Sequence, residues 1–359
     1  MKAYTSNNIR NIAVLGHGGK GKTTLCEAML YIAGASDRLG RVADGNTVLD
    51  FDSEEKRRKS SVSSAIAALE WDNTKLNIID APGLFDFEGG AAEAVRAAEA
   101  VLIVTSAGSG VDVGTEKAFR AAEKKGAAKF FAVTKTDSDH RNFYKTFDAL
   151  KEVYGNKLCP TIIPYMEGNI TKCYVNLMTG MAFSYDENGK ATKVPVPEDS
   201  VIEEMTSAFM EAVATTDDAL MEKFFEGEKF TKEEILKGLC IGIFDGSIYP
   251  VYAGSGLTCA GVDQLLYGLA WSAPGAFGYA GEKCTYENGE EGILPCDENG
   301  PLAAVCFKTI ADPFVGKMSF FKVVSGKLAP DTAAYNFRTG EIEKMGKIVF
   351  VKGAKQEDA

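Results

Sequence analysis

Histidine is nearly absent from this 359-residue chain, which contains only His17 and His140. Its eight cysteines are scattered, and no two of them have C-x-x-C spacing. The sequence therefore offers no zinc-binding pattern, and isolated cysteines of this kind indicate reduced thiols in a cytoplasmic protein. Long apolar runs are also missing, because the uncharged stretches 246–262 and 264–281 are broken by Gly, Ser and Pro and do not resemble a membrane span. Residues 1–11 are mostly polar, so we expect no signal peptide.

Positive charge is scarce as well. The chain has 39 Lys and Arg against 50 Asp and Glu, which gives a formal net charge of −11. This balance excludes nucleic-acid binding by bulk charge, although a local basic patch could still act. The hydrophobic share of 45% and the charged share of 25% are those of a globular protein. The length predicts two or three domains.

What the sequence does contain, up to residue 157, is an alternation of short apolar runs and amphipathic stretches. Strand-like runs cover residues 11–15, 65–71, 75–79, 100–105 and 129–133, and helix-like stretches cover 23–32, 91–98, 115–125 and 143–154. This alternation predicts βαβ units and a mostly parallel sheet. Residues 34–59 show no clear period, and we interpret them as a long, mobile loop.

After residue 157 the pattern changes. The sequence predicts strands over 173–185 and 191–196, joined by a turn, and then helices over 200–214, 217–226 and 231–240. Together these elements indicate an α+β insertion. The α/β pattern returns with a strand at 248–253 and a helix at 261–271, and the remaining chain is strand-like with Gly turns, as in a small barrel.

The segment Gly16-His17-Gly18-Gly19-Lys20-Gly21-Lys22-Thr23 follows the first strand-like run and precedes the first helix-like stretch. This order of strand, glycine-rich turn and helix is the phosphate-binding loop G-x-x-x-x-G-K-[ST]. Backbone N–H groups of such a loop, and the positive end of the helix dipole, face the phosphates. Lys22 is predicted to reach the β- and γ-phosphates, and the Thr23 hydroxyl to bind Mg²⁺.

A second motif, Asp80-Ala81-Pro82-Gly83, follows the strand-like run 75–79, as D-x-x-G does in GTP-binding switch proteins. An Asp at a strand end can hold Mg²⁺ through a water, and the Gly83 N–H can bond the γ-phosphate and sense its loss. The same four residues are also ordinary turn chemistry, so this motif alone leaves both interpretations open.

Two further loops point to the purine base. Thr134-Lys135-Thr136-Asp137 follows the run 129–133 and matches the guanine-reading N-K-x-D, with Thr in place of Asn. Asp137 is predicted to accept hydrogen bonds from the guanine N1–H and 2-amino group, a donor pair that adenine lacks. The Lys135 stem is expected to lie along the base. Gly254-Ser255-Gly256 stands where GTPases carry S-A-[KL], whose backbone N–H contacts the guanine O6.

The order and surroundings of these motifs resemble the translational GTPases, and within them elongation factor G. The phosphate loop resembles that family's G-H-x-x-x-G-K-T-T; Leu49-Asp50-Phe51 through Glu54-Glu55 to Arg58 resembles its switch segment M-D-x-x-x-x-E-x-x-R-G-I-T-I; residues 80–87 resemble D-T-P-G-H-V-D-F; residues 250–262 resemble P-V-x-x-G-S-x-x-x-x-x-G-V; and 300–304 with 312–317 resemble the start of a second, β-barrel domain. The resemblance covers essentially the whole chain.

This resemblance implies an α/β fold, with a P-loop GTPase domain and a mostly parallel sheet, an α+β insertion, and a partial antiparallel β-barrel. The implied segments are the first part of the GTP-binding domain (1–157), the inserted subdomain (158–247), the last strand and helix of the GTP-binding domain (248–279) and the barrel domain (280–359). The implied cofactors are GTP or GDP with Mg²⁺. The chain stops where the family's barrel continues, so we expect a fragment with an unclosed barrel, whose exposed strand edges favour disorder or self-association near residues 330–359.

Residue by residue, the resemblance places nucleotide contacts at His17, Gly18, Gly19, Lys20, Gly21, Lys22, Thr23, Thr24, Asp80, Gly83, Thr134, Lys135, Asp137, Ser255, Gly256 and Leu257. It places Mg²⁺ at Thr23, at Ser61 and, through water, at Asp80. Ser61 stands where the family has a Thr, because Lys59-Ser60-Ser61-Val62 aligns with G-I-T-I. A Ser hydroxyl can also ligate Mg²⁺.

Catalysis is expected to depend on Lys22 and Gly83, but Leu84 stands where the family's catalytic His orients the attacking water. Leu has no hydrogen-bond donor or acceptor, so it cannot position a nucleophile. Gly19 also replaces the family's usual Asp beside the phosphates. We therefore expect GTP binding with slow intrinsic hydrolysis. His17 is the other candidate for positioning water, although packing of the loop is the simpler interpretation.

Several alternatives stay open at this point. The chain resembles a translocation factor acting on the ribosome, its RNA and its proteins, but ribosomal protection proteins of the tetracycline-resistance type share the same domain order. A GTP-binding regulator of ribosomes without catalysis is favoured by Leu84. An ATP-using P-loop enzyme is the third possibility, and Thr134-Lys135-Thr136-Asp137 argues against it.

The basic run Lys56-Arg57-Arg58-Lys59 is interpreted as a solvated loop face, with a contact to ribosomal RNA left open. We expect a monomer that does not bind membranes.

Overall fold

The computed structural model describes residues 4–138, 142–276, 281–286, 288–312 and 316–358. Its largest feature is a sheet of ten strands. These strands are β1 (Ile9–Leu15), β2 (Ala65–Trp71), β3 (Thr74–Asp80), β4 (Ala100–Ser106), β5 (Ala128–Thr134), β6 (Leu158–Glu167), β7 (Ile170–Asn176), β8 (Met181–Tyr185), β9 (Ala191–Val194) and β10 (Tyr249–Ala253). The helices are α1 (Lys22–Ile32), α2 (Ser53–Arg58), α3 (Glu88–Ala97), α4 (Val113–Lys125), α5 (Phe143–Tyr154), α6 (Ser200–Ala214), α7 (Asp218–Glu226), α8 (Lys232–Asp245) and α9 (Val262–Ser272).

The strands lie in the order β2, β3, β1, β4, β5, β10, β6, β7, β8, β9. Neighbouring strands from β3 to β6 are parallel. Strand β2 pairs antiparallel with β3 at one edge, and β7, β8 and β9 form an antiparallel meander at the other. Every residue of β4 and β5 is buried, which is typical of parallel strands covered by helices on both faces. The predicted α/β fold with a mostly parallel sheet is confirmed.

Helix starts follow from local capping. The side chains of Asn142, Asp199 and Asp217 accept hydrogen bonds from the first backbone N–H groups of α5, α6 and α7. Thr231 and Glu234 form a capping box at α8. Because these side chains bond N–H groups that have no partner within the helix, they fix where each helix begins. The start predicted for α5 is confirmed, and α6 has the predicted limits at both ends.

The prediction of a loop throughout residues 34–59 is wrong for its last part, where α2 forms. This short helix begins with a capping box, in which Asp52 accepts a hydrogen bond from the Glu54 N–H and the Glu55 side chain accepts one from the Asp52 N–H. Only Glu55 is buried in α2. The helix therefore has no apolar stripe, and a search for hydrophobic periodicity could not find it.

Two strand predictions are also corrected. The single strand expected over 173–185 is a hairpin of β7 and β8, because Gly180 has a φ of +64° and its N–H bonds the Asn176 carbonyl in a tight turn. Strand β6 was not predicted at all. It contains Pro160 and Pro164, which lack the N–H that a strand normally contributes, yet it pairs with β10 on one side and β7 on the other.

The four strands β6 to β9 continue the main sheet, and α6 packs against β6. The segment expected to be an insertion therefore shares its hydrogen-bonded sheet with the strands that carry the nucleotide motifs. The limits of the four predicted domain segments stay a prediction.

Beyond residue 281 the chain forms four antiparallel hairpins, which we call the hairpin unit. They are β11 (Glu282–Thr285) with β12 (Glu291–Leu294), β13 (Ala303–Asp312) with β14 (Gly316–Ser325), β15 (Ala333–Asn336) with β16 (Glu341–Lys344), and β17 (Val349–Lys352) with β18 (Lys355–Asp358). In the described part of this unit, the hairpins do not join into one closed sheet. Motif residues 313–315 and the chain end at 359 lie outside the described residues. None of the helices in the described ranges is long and apolar enough to cross a bilayer.

Candidate nucleotide-binding site

The loop between β1 and α1 holds its lysine in a buried position. The Lys22 Nζ donates to the carbonyl oxygens of Gly16 and His17, each at 3.0 Å. Burial lowers the pKa of this ammonium below its usual value. Gly16 has a φ of +143°, and a Cβ there would lie 2.2 Å from the Val104 carbonyl oxygen. A larger residue is excluded at that position, and the loop keeps the compact shape that phosphate binding requires.

Thr23 and Asp80 are joined by a continuous line of hydrogen bonds to Ser61 and Asp50, which lie between α1 and β2. The Thr23 Oγ1 donates to Asp80 Oδ2 at 2.7 Å, the Ser61 Oγ donates to Asp50 Oδ1 at 2.7 Å, and the two hydroxyl oxygens lie 3.0 Å apart. All four side chains are buried. We call this set the hydroxyl–carboxylate chain. The structure thus brings the three predicted metal ligands together and adds Asp50.

This set has the electrostatics of a cation site. Burial raises the pKa of Asp80 to about 7 and that of Asp50 to about 6. Asp80 Oδ1 and Asp50 Oδ2 are buried without a hydrogen-bond partner among the described residues. A buried carboxylate is costly unless a cation or donor compensates it. Mg²⁺ prefers oxygen ligands such as these hydroxyls and carboxylates, so the residues fit that ion.

The D-x-x-G turn lies directly against the phosphate loop. A Cβ at Gly83 would be 2.2 Å from the Lys22 Nζ and 2.8 Å from the Gly18 nitrogen. The absence of a side chain is therefore required at Gly83. The next residue, Leu84, has a side chain that is 41% exposed, and its Cδ2 would lie 3.1 Å from a Cβ at Gly18. An apolar group thus stands at the mouth of the loop.

His17 is packed into the structure around the loop. Its ring meets Phe85 edge-on with centroids 5.7 Å apart, and a Cβ at Gly114 would lie 2.5 Å from the His17 Cα. These contacts favour packing as the role of His17. Lys20, further along the same loop, forms an ion pair with Asp112 at 2.8 Å.

The first guanine motif rests on the phosphate loop. The Thr134 Oγ1 bonds the Lys20 carbonyl at 2.6 Å and the Thr105 carbonyl at 3.0 Å. The Lys135 Nζ donates to the Gly19 carbonyl at 2.7 Å, and its backbone adopts a φ of +60°. Thr134 therefore ties the loop to β4 although it replaces an Asn. Asp137 is exposed beyond this junction.

The second guanine motif packs against α1. The Gly254 N–H bonds the Val133 carbonyl at the end of β5. Ser255 is fully buried, and its Oγ accepts hydrogen bonds from the N–H groups of Leu257 and Thr258. A Cβ at Gly256 would lie 2.8 Å from the Thr24 backbone, and the Leu257 side chain is exposed. The first motif therefore contacts the phosphate loop, and the second contacts the first turn of α1 directly after it.

Sequence reasoning missed the residues that hold the segment carrying Asp50. Glu27 on α1 is fully buried, and its Oε1 accepts hydrogen bonds from the N–H groups of Val48 and Leu49 at 2.8 and 3.0 Å. Burial raises the pKa of Glu27. An acidic residue within the apolar stretch Leu25–Leu30 was the available signal, since carboxylates are seldom fully buried without a partner.

The basic run 56–59 lies at the surface. Arg57 and Arg58 both pair with Glu54, at 2.6 and 2.5 Å, and all four basic side chains are exposed. Exposed pairs of this kind contribute little to stability. This arrangement agrees with a solvated loop face.

The fold and these loops define a nucleotide-binding protein of the P-loop class. Residues 7–274 match the family model of the elongation factor Tu GTP binding domain, and the chain belongs to that family. The resemblance to elongation factor G-like translational GTPases is thereby confirmed. A crystal structure of a protein from Thermus thermophilus is similar, with 31% sequence identity, a TM-score of 0.85, and a match that covers 98% of this chain and 50% of that chain. This chain thus spans about half the length of the solved protein that it matches.

Proposed function

We propose that this chain binds GTP and GDP with Mg²⁺, hydrolyses GTP slowly on its own, and forms the nucleotide-dependent part of a cytoplasmic translation factor that acts on the ribosome. The observation that carries the proposal is the junction of three groups of residues on one loop. Lys22 lies in the loop, the hydroxyl–carboxylate chain begins at Thr23, and Thr134 and Lys135 bond the carbonyls of Lys20 and Gly19. One nucleotide can therefore contact all three.

Each residue has a separate task in this proposal. Lys22 neutralises charge on the β- and γ-phosphates, and the Gly83 N–H bonds the γ-phosphate. Asp137 accepts hydrogen bonds from the guanine base, with Lys135 along its face and the loop at Ser255 on its other edge. Thr23, Ser61 and Asp80 hold Mg²⁺, which supplies positive charge against the phosphates when bound.

Slow hydrolysis follows from what stands beside the γ-phosphate position. Leu84 lies at the mouth of the phosphate loop and offers no atom that could orient water. The ribosome, or another group brought by it, is expected to supply that function. Translocation by the full-length protein belongs to this proposal, as do ribosome binding and a monomeric state.

A second candidate function is a GTP-binding regulator of ribosomes that does not turn over. Leu84 is the observation that favours it. Phosphate release under multiple-turnover conditions, with and without ribosomes, separates the two functions. Release that the ribosome accelerates supports the enzyme, whereas no release in either condition supports the regulator. A protection factor of the tetracycline-resistance type would also release phosphate, but it would rescue translation in the presence of that drug.

Calorimetry with GDP, GTP and ADP, each with and without Mg²⁺, tests the binding proposal. We expect guanine nucleotides to bind much more tightly than ADP, and Mg²⁺ to strengthen GTP binding. Tighter binding of adenine nucleotides would overturn the assignment of the base, because it would mean that Asp137 does not read the purine edge.

A further inference from the structure

A lysine of the hairpin unit is buried against the part of the chain that carries the nucleotide motifs. Lys308 lies on β13, and its side chain is only 5% exposed. Its Nζ donates to the Ser63 Oγ at 2.6 Å, to the Ser64 Oγ at 2.9 Å and to the Ser64 carbonyl oxygen. Glu93 Oε2 lies 3.5 Å away. One ammonium therefore contacts oxygens from two separate elements of the nucleotide-binding region.

Both of those elements lead to the hydroxyl–carboxylate chain. Ser63 and Ser64 follow closely after Ser61 in the sequence. Glu93 lies on α3, the helix that follows the D-x-x-G turn, and it accepts a hydrogen bond from the Ser64 Oγ at 2.6 Å. Lys308 thus joins the segment that follows Ser61 to α3, the helix that follows Asp80.

The segment around Ser61 is held from two sides. On one side, Glu55 of α2 accepts hydrogen bonds from the Val62 and Ser63 N–H groups at 2.9 and 3.2 Å. On the other side stands Lys308. Because residues 62–64 are held from both sides, the chain directly after Ser61 is fixed and leaves little freedom to the Ser61 hydroxyl, which itself bonds Asp50.

The stability of the buried Lys308 ammonium depends strongly on where residues 63–64 lie. A buried ammonium is stable only while oxygens surround it, and a displaced segment would leave it uncompensated. Movement of residues 63–64 by the length of a hydrogen bond therefore costs free energy at Lys308. The ordered position of the segment and the docking of the hairpin unit must favour each other.

The hairpin unit also contacts the segment beside Asp50, at the other end of the hydroxyl–carboxylate chain. Gly353, at the β17–β18 turn, has a φ of +55°, and a Cβ there would lie 2.0 Å from the Val48 carbonyl oxygen. Its N–H bonds the Ile66 carbonyl, and the Lys352 Nζ bonds the Ala35 carbonyl. The hairpin unit therefore touches the segments on either side of Asp50 and Ser61.

We propose that Lys308 is a positioning residue that fixes Ser61 for metal binding from across the boundary with the hairpin unit. This inference rests on the proposed function, because it concerns the Mg²⁺ dependence of GTP binding. It adds a direction of control: the hairpin unit sets the metal requirement of the nucleotide site, and Mg²⁺ with GTP in turn strengthens the docking of the hairpin unit.

The test compares Lys308→Met with Lys322→Met. Lys322 is the matched control because it is also a largely buried lysine of the hairpin unit that pairs with acidic residues, Glu99 and Glu282, away from Ser61. Binding of a non-hydrolysable GTP analogue is measured by calorimetry as the Mg²⁺ concentration is varied. For Lys308→Met we expect the Mg²⁺ concentration at half-maximal effect to rise by about fivefold or more, the lower end of usual coupling strengths. Its affinity for GDP without Mg²⁺ should stay close to wild type. Lys322→Met weakens the docking of the hairpin unit without removing a contact to residues 63–64, so its shift should be clearly smaller.

Hydrogen exchange of the nucleotide-free protein gives a second measurement. Amides of residues 61–64 should exchange faster in Lys308→Met than in wild type and in Lys322→Met, and Lys308→Arg should restore part of the protection. If Lys308→Met does not fold, Ser63→Ala removes one contact from the opposite side and should shift the Mg²⁺ dependence in the same direction by a smaller factor.

The outcomes separate the two proposals. An unchanged Mg²⁺ dependence in both Lys308→Met and Ser63→Ala, or an equal shift in Lys322→Met, would overturn the role of Lys308. A wild-type protein that binds no guanine nucleotide would overturn the proposed function instead. In that case the exchange rates of residues 61–64 still decide whether Lys308 positions the segment.

Discussion

The hydroxyl oxygens of Thr23 and Ser61 lie 3.0 Å apart, although the two residues are 38 positions apart in the chain. The carboxyl groups of Asp80 and Asp50 lie at the two ends of this contact, each 2.7 Å from one of the hydroxyl oxygens. Each hydroxyl has only one proton, so this line of four oxygens is short of protons when both carboxyl groups are ionised. A cation bound to these oxygens would compensate that shortage, and that is the physical reason why the set fits Mg²⁺.

The base preference can be tested at Asp137. Replacing it by Asn exchanges a carboxylate acceptor for an amide, so the guanine N1–H and 2-amino group lose a charged partner. We expect Asp137→Asn to weaken GDP binding by roughly 100-fold or more, which corresponds to the loss of two hydrogen bonds to a charged group. The same variant should gain affinity for xanthosine diphosphate, which carries an oxygen where guanine has the 2-amino group. Calorimetry measures both.

A matched control for this experiment is Asp148→Asn, which changes an exposed carboxylate on α5. It should leave GDP binding unaltered. Equal weakening in the two variants would mean that net charge, and not recognition of the base, governs affinity.

Hydrolysis can be tested at Leu84. We expect Leu84→His to raise the rate of single-turnover phosphate release by about tenfold or more, because a positioned imidazole contributes factors of this size or larger. Leu84→Ala should stay as slow as wild type, since neither side chain can orient water. If the wild-type chain releases phosphate fast and Leu84→Ala is equally fast, the expectation of slow hydrolysis is wrong. His17 would then be the candidate for positioning the water.

Proton exchange should accompany metal binding. Burial raises the pKa of Asp80 to about 7 in the metal-free protein, whereas an ordinary Asp has a pKa of about 4. Mg²⁺ requires the ionised carboxylate, so binding of Mg²⁺ with GDP near pH 6.5 should release protons. At pH 8.5 Asp80 is already ionised, and release should be small. Calorimetry in two buffers of different ionisation enthalpy measures the number of protons at each pH.

The same shift has a consequence for stability in the absence of metal. Between about pH 4 and pH 7 the folded chain holds a proton on Asp80 that the unfolded chain has released. The contribution of Asp80 to the free energy of unfolding therefore falls as pH rises through this window, and its penalty is complete above it. Asp80→Asn should show a smaller decline of the urea midpoint from pH 5 to pH 7.5 than the wild type. An identical decline would show that Asp80 is ionised throughout.

Stability of the segment before α2 can be tested at Glu27. Removing this side chain leaves the part-buried N–H of Val48 and the buried N–H of Leu49 without their acceptor. We expect Glu27→Ala to lower the free energy of unfolding by about 3 kcal/mol, measured by urea denaturation. Glu27→Gln keeps an acceptor oxygen and removes a buried charge, so its loss should be much smaller. Similar losses in both variants would mean that volume, and not the hydrogen bonds, matters at this position.

The sequence was most informative where function depends on the ends of parallel strands. Loops after β1, β3, β5 and β10 converge because the carboxyl ends of parallel neighbours meet at one edge of a sheet. Recognising parallel strands was therefore sufficient to expect those four loops at the same edge of the sheet, whereas the order of the strands across it needed the structure. The prediction of Ser61 beside Thr23 has a different source, since both belong to motifs of the resembling family.

Other parts of the site had no local pattern to reveal them. Glu27 holds Val48 across 21 residues, and Lys308 reaches Ser63 across 245 residues. Such contacts depend on how elements pack and leave no period or spacing in the sequence. Helix α2 was missed because its only buried residue is charged, and β6 was missed because proline normally argues against a strand.

The placement of β10 has a mechanical consequence. This strand ends at the loop of Ser255, and it is hydrogen-bonded to β5 on one side and to β6 on the other. From β6 the sheet continues through β7 and β8 to β9 at the far edge. A force applied by another molecule to that edge would therefore act, through the hydrogen-bonded sheet, on the loop of Ser255, which the proposed function places beside the base.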